Sequence, residues 1–311
     1  MDNNTYLLSL VVPVLNEQTV IVEFLRRTQK VLNELDCSYE IVFVNDGSKD
    51  STLDILKREK TKGRHIKIIN LSRNFGHQIA ITAGMNYAQG DAVVIIDADL
   101  QDPPELIPKM ICKWREGYDV VNAKRRRRLG ETIFKTGTAS VFYSLIRKIS
   151  NIEIPMDVGD YRLLSRKALN SLKQLPEKHR YIRGLVAWLG YQQTQILYER
   201  DRRFAGKTKY PLAKMIRFSM DGLSSFSILP LRVATFLGFL VSFVSFVFIA
   251  YALYVKVVLQ IAVQGWTTLF IAILFLGGIQ LICIGIVGEY IGMIHDEAKG
   301  RPLYLVSEII E

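Results

Sequence analysis

The sequence predicts an α/β protein whose N-terminal part is a mostly parallel sheet covered by helices on both faces, followed by an apolar C-terminal region. Three observations carry this expectation. Strand-like and helix-like segments alternate through the first 125 residues, the pattern that sets helices across parallel strands. Polar clusters recur just after successive strand-like runs: Asn16 and Glu17, Asp46, Arg73 and Asn74, then Asp97 and Asp99. In such sheets ligands gather at the strands' carboxyl ends. Finally, Val233 to Val255 and Trp266 to Gly288 hold no charged residue, and each exceeds the roughly 18 to 20 residues that cross hydrocarbon.

Each element follows in order. "LLSLVVPVL" from Leu7 reads as a buried first strand, because its proline and the Asn16 and Glu17 that follow do not suit a signal peptide. Asn16 is expected to cap a helix running to about Leu35. "YEIVFV" from Tyr39 gives a second strand, the turn "NDGSKDST", and a helix from about Thr52. "IKIINL" from Ile66, a helix from about Gly76 to Ala88, "DAVVIID" from Asp91, a helix after Pro103 and Pro104, and "YDVVNA" from Tyr118 complete the alternation.

Beyond it, Tyr210 to Leu229 mixes Lys214 and Arg217 with Leu212, Met215, Ile216 and Phe218. That composition suits helices lying in a membrane interface, or an ordinary amphipathic surface helix; its place beside an apolar span favours the membrane. A buried helical hairpin of a soluble core is the alternative reading of the two spans. Basic residues precede the first span and follow the second, while the short connection offers only Lys256, so both chain ends are expected on the cytoplasmic side. The expected divisions are a cytoplasmic domain at 1–209, interfacial helices at 210–231, a two-helix transmembrane region at 232–294 and a cytoplasmic tail at 295–311.

A formal charge of +10 and a pI near 9.4 suit an acidic partner: nucleic acid, anionic lipid or a phosphorylated substrate. Cys37, Cys112 and Cys283 are far apart and lack metal-ligand spacing, which fits a reducing compartment. The first strand is followed by "PVLNE" rather than a glycine fingerprint, and Gly206-Lys207-Thr208 lacks the earlier glycine of a phosphate loop. Dehydrogenase and ATPase readings lose their weight accordingly. "DADLQDPPE", from Asp97 to Glu105, sets two carboxylates two residues apart at a strand's end, where a divalent metal can bridge them to a diphosphate. A solvated acidic turn is the alternative for such a pair taken alone.

Together, "VVPVLNE" (Val11 to Glu17), "VNDGSKDST" (Val44 to Thr52), "RNFGHQIAITAGMNYA" (Arg73 to Ala88), "DADLQDPPE" and "GDYRLLSR" (Gly159 to Arg166) resemble family 2 glycosyltransferases of the GT-A fold. With the two spans and the ending "GEYIGMIHDEAKGRPLYLV" from Gly288, nearly the whole chain resembles bacterial polyprenyl-phosphate glycosyltransferases, notably the bactoprenol glucosyltransferase branch. It is more distantly similar to dolichol-phosphate mannose synthases. The resemblance implies that Pro13, Asn16 and Glu17 shape a nucleotide pocket and that Asp46 recognises the base. It implies that Asp97 and Asp99 engage the ribose and a metal-bound diphosphate, with Mg2+ or Mn2+ as the ion. Gln101 and Asp102 then face the sugar or the metal's surroundings. Asn16 as a plain helix cap and Asp46 as a turn residue are the alternatives.

A lipid phosphate, with a second pKa near ~6, is already largely ionised at neutral pH. A strong general base is dispensable; Asp160, at the family's Gly-Asp position, either acts as base or orients the sugar, and orientation is the favoured reading. Cations must then hold two anions together. Candidates are Arg125, which opens "RRRR", a run that contacts diphosphate or lipid head groups or is simply a solvated charge run, and Arg200, Arg202, Arg203, Lys207 and Lys209 in "ERDRRFAGKTKY", either as a loop that orders on phosphate or as a stretch held by anionic lipid. His77 and His179 have no ligand-spaced partner and are expected at surface or helix-end positions. Gly288 and Gly292 give a spacing that packs helices within or between subunits, which suits a homo-oligomer.

The expected activity is inverting transfer of a hexose, glucose from UDP-glucose, to undecaprenyl phosphate at the inner (cytoplasmic) membrane. The expected partners are a nucleotide-sugar donor, a polyprenyl phosphate acceptor and membrane lipid, and no nucleic acid. A processive polysaccharide synthase is disfavoured because no Q-x-x-R-W occurs and two spans are few for a polymer channel. A non-catalytic nucleotide-binding scaffold is disfavoured by the intact acidic clusters.

Overall fold

The computed structural model describes residues 6–63, 65–126, 158–199, 229–258 and 265–311. The chain forms two compact units, one of Met1–Ile216 with Pro302–Glu311 and one of Arg217–Arg301.

The first unit is built on an eight-stranded sheet. In chain order its elements are β1 (Leu7–Val14), α1 (Ile21–Asn33), β2 (Ser38–Asn45), α2 (Thr52–Lys62), β3 (Ile66–Leu71), α3 (His77–Tyr87) and β4 (Ala92–Ile95). A 3-10 turn at Pro104–Leu106 leads into α4 (Ile107–Arg115), then β5 (Val120–Arg125), β6 (Val158–Ser165), α5 (Arg166–Lys173), α6 (Ile182–Trp188) and β7 (Gln193–Tyr198). The sheet closes with β8 (Val306–Ile310), and its order is β7-β5-β6-β4-β1-β2-β3-β8. Strands β3, β2, β1 and β4 run parallel, whereas β6 lies antiparallel between β4 and β5.

Burial on both faces explains why these strands read as continuous apolar runs rather than alternating ones. Leu8, Leu10 and Val12 of β1 join Phe24, Leu32, Phe43 and Ile107 in one core. On the other face Val11 and Val44 meet α3 at Gly84, where an added Cβ would lie 2.4 Å from Val11 Cγ1 and 3.0 Å from Val44 Cγ2. Only a residue without Cβ lets the helix approach this closely. Amphipathic α1 buries Ile21, Phe24, Leu25, Thr28, Val31 and Leu32.

Two expectations are corrected. Asn16 does not cap α1: the helix starts at Ile21 with Val20 before it, because Asn16 takes up left-handed backbone at φ 52° in the preceding loop. Residues 295–311 are more than a tail, since β8 pairs antiparallel with β3 and Ser72 N–H donates to the Leu305 carbonyl at 2.9 Å. Ion pairs Lys57–Glu308 at 2.7 Å and Lys67–Glu311 at 2.5 Å flank that pairing.

The second unit contains two long helices, α7 (Leu229–Val257) and α8 (Trp266–Ala298). They touch: Cys283 Sγ lies 3.6 Å from the Ala234 carbonyl. Phe236, Phe239, Phe243 and Phe246 of α7 and Phe275 and Leu281 of α8 are exposed on the unit's surface. Among the described residues one helical segment, Phe275–Ala298, is long and apolar enough to cross a membrane, with mean hydropathy 1.6. The expected interfacial helices at 210–231 lie almost wholly outside the described residues.

Candidate active site

Strand order places the site. From β1 the chain moves outward to β2 and β3, then returns to the other side of β1 with β4. Loops leaving β1 and β4 therefore diverge and open a crevice at their carboxyl ends. Asn16 and Glu17 follow β1, and Asp97 and Asp99 follow β4. Because β6 runs the opposite way, pairing Arg162 with Ile95, its early residue Asp160 reaches the same end of the sheet as Asp97.

Neighbouring loops are laced together by backbone contacts. Asn16 N–H donates to Ser48 Oγ at 2.9 Å, Asn16 Oδ1 accepts from Lys49 N–H at 2.8 Å, and Glu17 N–H donates to Thr52 Oγ1 at 2.8 Å. Gly47, at φ 69°, lets this turn touch the next loop, since a Cβ there would lie 2.6 Å from Arg73 C and Asn74 N. Asp46 is buried and accepts from the amides of Phe75 at 2.7 Å and Gly76 at 3.0 Å. Burial pushes its carboxyl up, opposed by those two amides. The visible work of Asp46 is thus to fix the backbone before α3. Pro13 is buried within β1, opposite Val44 in register.

The centre of the site is a cluster of charges. His77, first residue of α3, sits with Nε2 3.5 Å from Asp97 Oδ1 and 3.4 Å from Asp160 Oδ2. Burial alone would lower its pKa, but Asp97 and Asp160 raise it to about 9. Asp160 accepts from Gln78 Nε2 at 3.0 Å and from Arg183 Nε at 3.0 Å. Burial would raise its pKa, yet the Arg183 guanidinium and His77 outweigh that and hold the carboxyl well below its usual range. Asp97 moves the other way, up to about 6, through burial and the neighbouring charges of Asp102, Asp160 and Asp99, against the pull of His77. Asp99 Oδ1 accepts from Gln101 N–H at 3.1 Å across Leu100, itself left-handed at φ 59°, so the acidic run does form a local turn. Gln101 is buried beside it.

A second group backs the acidic loop. Tyr198 donates to the buried Asp102 at 2.5 Å, Arg125 Nε donates to Tyr198 Oη at 3.1 Å, and Arg125 Nη2 lies 3.9 Å from Asp102. Arg125 thus faces into the fold, while Arg126 pairs with Glu199 at 3.3 Å. Arg162 is fully buried beneath Asp160; its Nη2 donates to the Gly159 carbonyl at 2.8 Å, and burial lowers its pKa to about 10. Arg200, Arg202, Arg203, Lys207 and Lys209 lie outside the described residues.

The structure brings Asp97, Asp99, Gln101 and Asp160 together and adds His77, Gln78, Arg183 and Tyr198. His77 and Gln78 stand in the "RNFGHQ" run, where the turn into α3 gives a readable signal. Arg183 had none, because only the packing of α6 against β6 carries it to Asp160. Among the described residues no set of three or more His, Cys, Asp or Glu side chains is arranged to hold a metal. The Asp97 and Asp99 pair still suits Mg2+-type chemistry, in which one or two carboxylates bind and substrate phosphates with water supply the other ligands. Burial is the main cause of the upward shift of Asp97, and the neighbouring Asp102, Asp160 and Asp99 add to it.

A parallel sheet with carboxylates at its switch point, and an antiparallel strand returning another carboxylate to them, defines the GT-A class of nucleotide-sugar enzymes. Residues 9–173 match Glycosyl transferase family 2 and residues 229–294 match the GtrB C-terminal hairpin. The chain is 52% identical over 300 residues to the uncharacterized glycosyltransferase YkcC of Bacillus subtilis (strain 168), covering 96% of this chain and 93% of that protein. It is 41% identical over 302 residues to the prophage bactoprenol glucosyl transferase homolog of Escherichia coli (strain K12), covering 97% and 99%. With the bactoprenol glucosyl transferase of Shigella phage SfII the identity is 42% over 301 residues, covering 97% of each. Glucosyl-3-phosphoglycerate synthase from Mycobacterium tuberculosis, solved with Mn2+, UDP and glucosyl-3-phosphoglycerate, shares the fold at TM-score 0.51 and 19% identity, covering 71% of this chain and 80% of that one. The chain belongs to glycosyl transferase family 2 and is a glycosyltransferase.

Proposed function

We propose that this enzyme transfers a hexose, glucose from UDP-glucose, to undecaprenyl phosphate on the cytoplasmic leaflet, with inversion at the anomeric carbon. The single observation that carries the reading is the convergence of Asp97, Asp99 and Asp160 at the switch point of a chain 41% and 42% identical to bactoprenol glucosyl transferases. The exposed apolar surface of α7 and α8 supports anchoring by two membrane spans, since water-soluble proteins rarely expose patches of that kind.

The chemistry follows from charge. The lipid phosphate arrives ionised, so the protein need not remove a proton from it. Asp160, held ionised by Arg183 and His77, is a poor base and a good acceptor for sugar hydroxyls; it orients the donor. Asn16, Glu17 and Asp46 border the crevice where the nucleoside is expected, with Pro13 beneath them. Asp97 and Asp99 would hold Mg2+ or Mn2+, which supplies a Lewis acid to the leaving diphosphate when bound. Arg200, Arg202, Arg203, Lys207 and Lys209 are assigned to the two phosphates, whereas Arg125, expected among them from the sequence, is engaged with Tyr198 and Asp102 behind the acidic loop. Inversion follows if the lipid phosphate attacks from the face opposite the diphosphate.

The test is purified protein with a panel of nucleotide sugars and undecaprenyl phosphate, the lipid product being identified by mass. Hexosyl-phosphoundecaprenol formed from UDP-glucose, and lost in chelator, is expected. Product from another donor alone would overturn the sugar assignment. Undiminished turnover in chelator would overturn the metal assignment.

A further inference from the structure

Gln78 is the second residue of α3, and its side chain bridges two other elements. Its Nε2 donates to Asp160 Oδ2 at 3.0 Å while its Oε1 accepts the N–H of Ile182 at 3.1 Å. Ile182 opens α6, whose N-cap Tyr181 makes no side-chain cap bond, so Gln78 satisfies one of the amides that a helix start leaves without a partner. The next residue, Arg183, grips the same carboxylate, with Nε 3.0 Å from Asp160 Oδ1. One carboxamide therefore closes a ring that runs from α3 to Asp160, to Arg183, along the backbone to Ile182, and back to α3. A side chain here must donate at one end and accept at the other, which glutamine does and an ionised glutamate does not.

We propose that Gln78 is a positioning residue: it sets the direction of Asp160 and, through the start of α6, the placement of Arg183, so that the carboxylate presents one fixed face to the donor sugar. The inference rests on the orienting role given to Asp160 in the proposed function. Glutamate at this position keeps the acceptor for Ile182 but cannot donate to Asp160 and sets a second negative charge against it. Methionine keeps the length and loses both bonds.

The test is steady-state transfer by the full-length enzyme together with hydrogen exchange at the Ile182 and Arg183 amides. For Gln78→Glu the expectation is wild-type amide protection, a KM for the donor within about threefold, and kcat lower by about 10- to 100-fold. In an Asp160→Asn background the same substitution should cost almost no further kcat, because the two residues act as one unit. An unchanged kcat in Gln78→Glu, or a full additional loss on top of Asp160→Asn, overturns the proposal. If Gln78→Glu does not fold, Gln78→Met is read instead: kcat must fall and Ile182 must exchange faster, and retention of either overturns the proposal. A wild-type protein that transfers no hexose to lipid phosphate counts against the proposed function. The bridge is then judged by exchange alone, and equal protection of Ile182 in Gln78→Glu and Gln78→Met rejects it.

Discussion

Asp160 and Asp97 are both carboxylates in one cluster, yet their protonation is driven in opposite directions, and the difference is which cations face them. Burial pushes both up, but Asp160 has Arg183 and His77 on it, whereas Asp97 has His77 alone against the neighbouring charges of Asp102, Asp160 and Asp99. Asp160→Asn should therefore give a large loss in kcat, with no new pH dependence of the remaining rate between about 6 and 9. A rate restored at high pH would assign it the base role instead. A group whose folded pKa lies below its unfolded value adds stability above that unfolded value, near ~3.9, and the gain is lost as pH falls further. Acid titration of the wild type against Asp160→Asn, followed by circular dichroism, should show the two curves converging below about pH 4. Asp99→Asn is expected nearly to abolish turnover while the protein stays folded. Asp46→Asn retains one acceptor and turns an N–H2 toward a backbone amide, so a loss of about 1–3 kcal/mol is expected by urea denaturation. The residue types of the acidic loop were legible in the sequence because strand, turn and charge follow one another there. His77 was read as a surface or helix-end residue: the sequence marks where α3 starts, but not that β6 runs antiparallel and returns Asp160 beside it.

At the scale of elements, the strands were legible because burial on both faces leaves long apolar runs: "IKIINL" is β3 from Ile66 to Leu71. Helix starts were less so, since Asn16 has the chemistry of a cap but spends its side chain on Lys49 across the loop. The start of β8 was hidden for another reason: five residues pairing at an edge need a partner strand far away in sequence, and β3 is that partner. The α3 contact gives a further prediction. Gly84→Ala gains about 1 kcal/mol in helix propensity, but its Cβ would fall 2.4 Å from Val11 Cγ1 between fully buried valines. Overpacking of about 1–3 kcal/mol then wins, and thermal unfolding in detergent should show a lower midpoint.

At the scale of the whole molecule, the proposed two-span anchoring can be tested directly. If α7 and α8 both cross the bilayer, a cysteine introduced at Val263 in an otherwise cysteine-free protein should react with an impermeant maleimide from the outside of intact cells, whereas a second variant that keeps Cys112, exposed on the first unit, as its single cysteine should react only after lysis. Reaction of both from the same side would reject the two-span arrangement. Replacing Arg202 and Lys207 by alanine should slow transfer to lipid phosphate without changing membrane insertion. A loss of membrane affinity with an unchanged rate on detergent-solubilised acceptor would instead mark that segment as a lipid tether.

The first unit comprises Met1–Ile216 and Pro302–Glu311, so in topological terms the apolar hairpin is an insertion within the sheet domain, not an appendage at its end. Cutting the gene after residue 209 is expected to leave the sheet domain incomplete. It would strip β8 from β3 and leave a bare strand edge, a template for association between copies. A water-soluble version requires splicing: excise the hairpin and join Pro302–Glu311 through a flexible Gly/Ser tether, which as a random coil spans about 5–6 Å times the square root of its length. The spliced protein should stay monomeric by light scattering where the simple truncation aggregates.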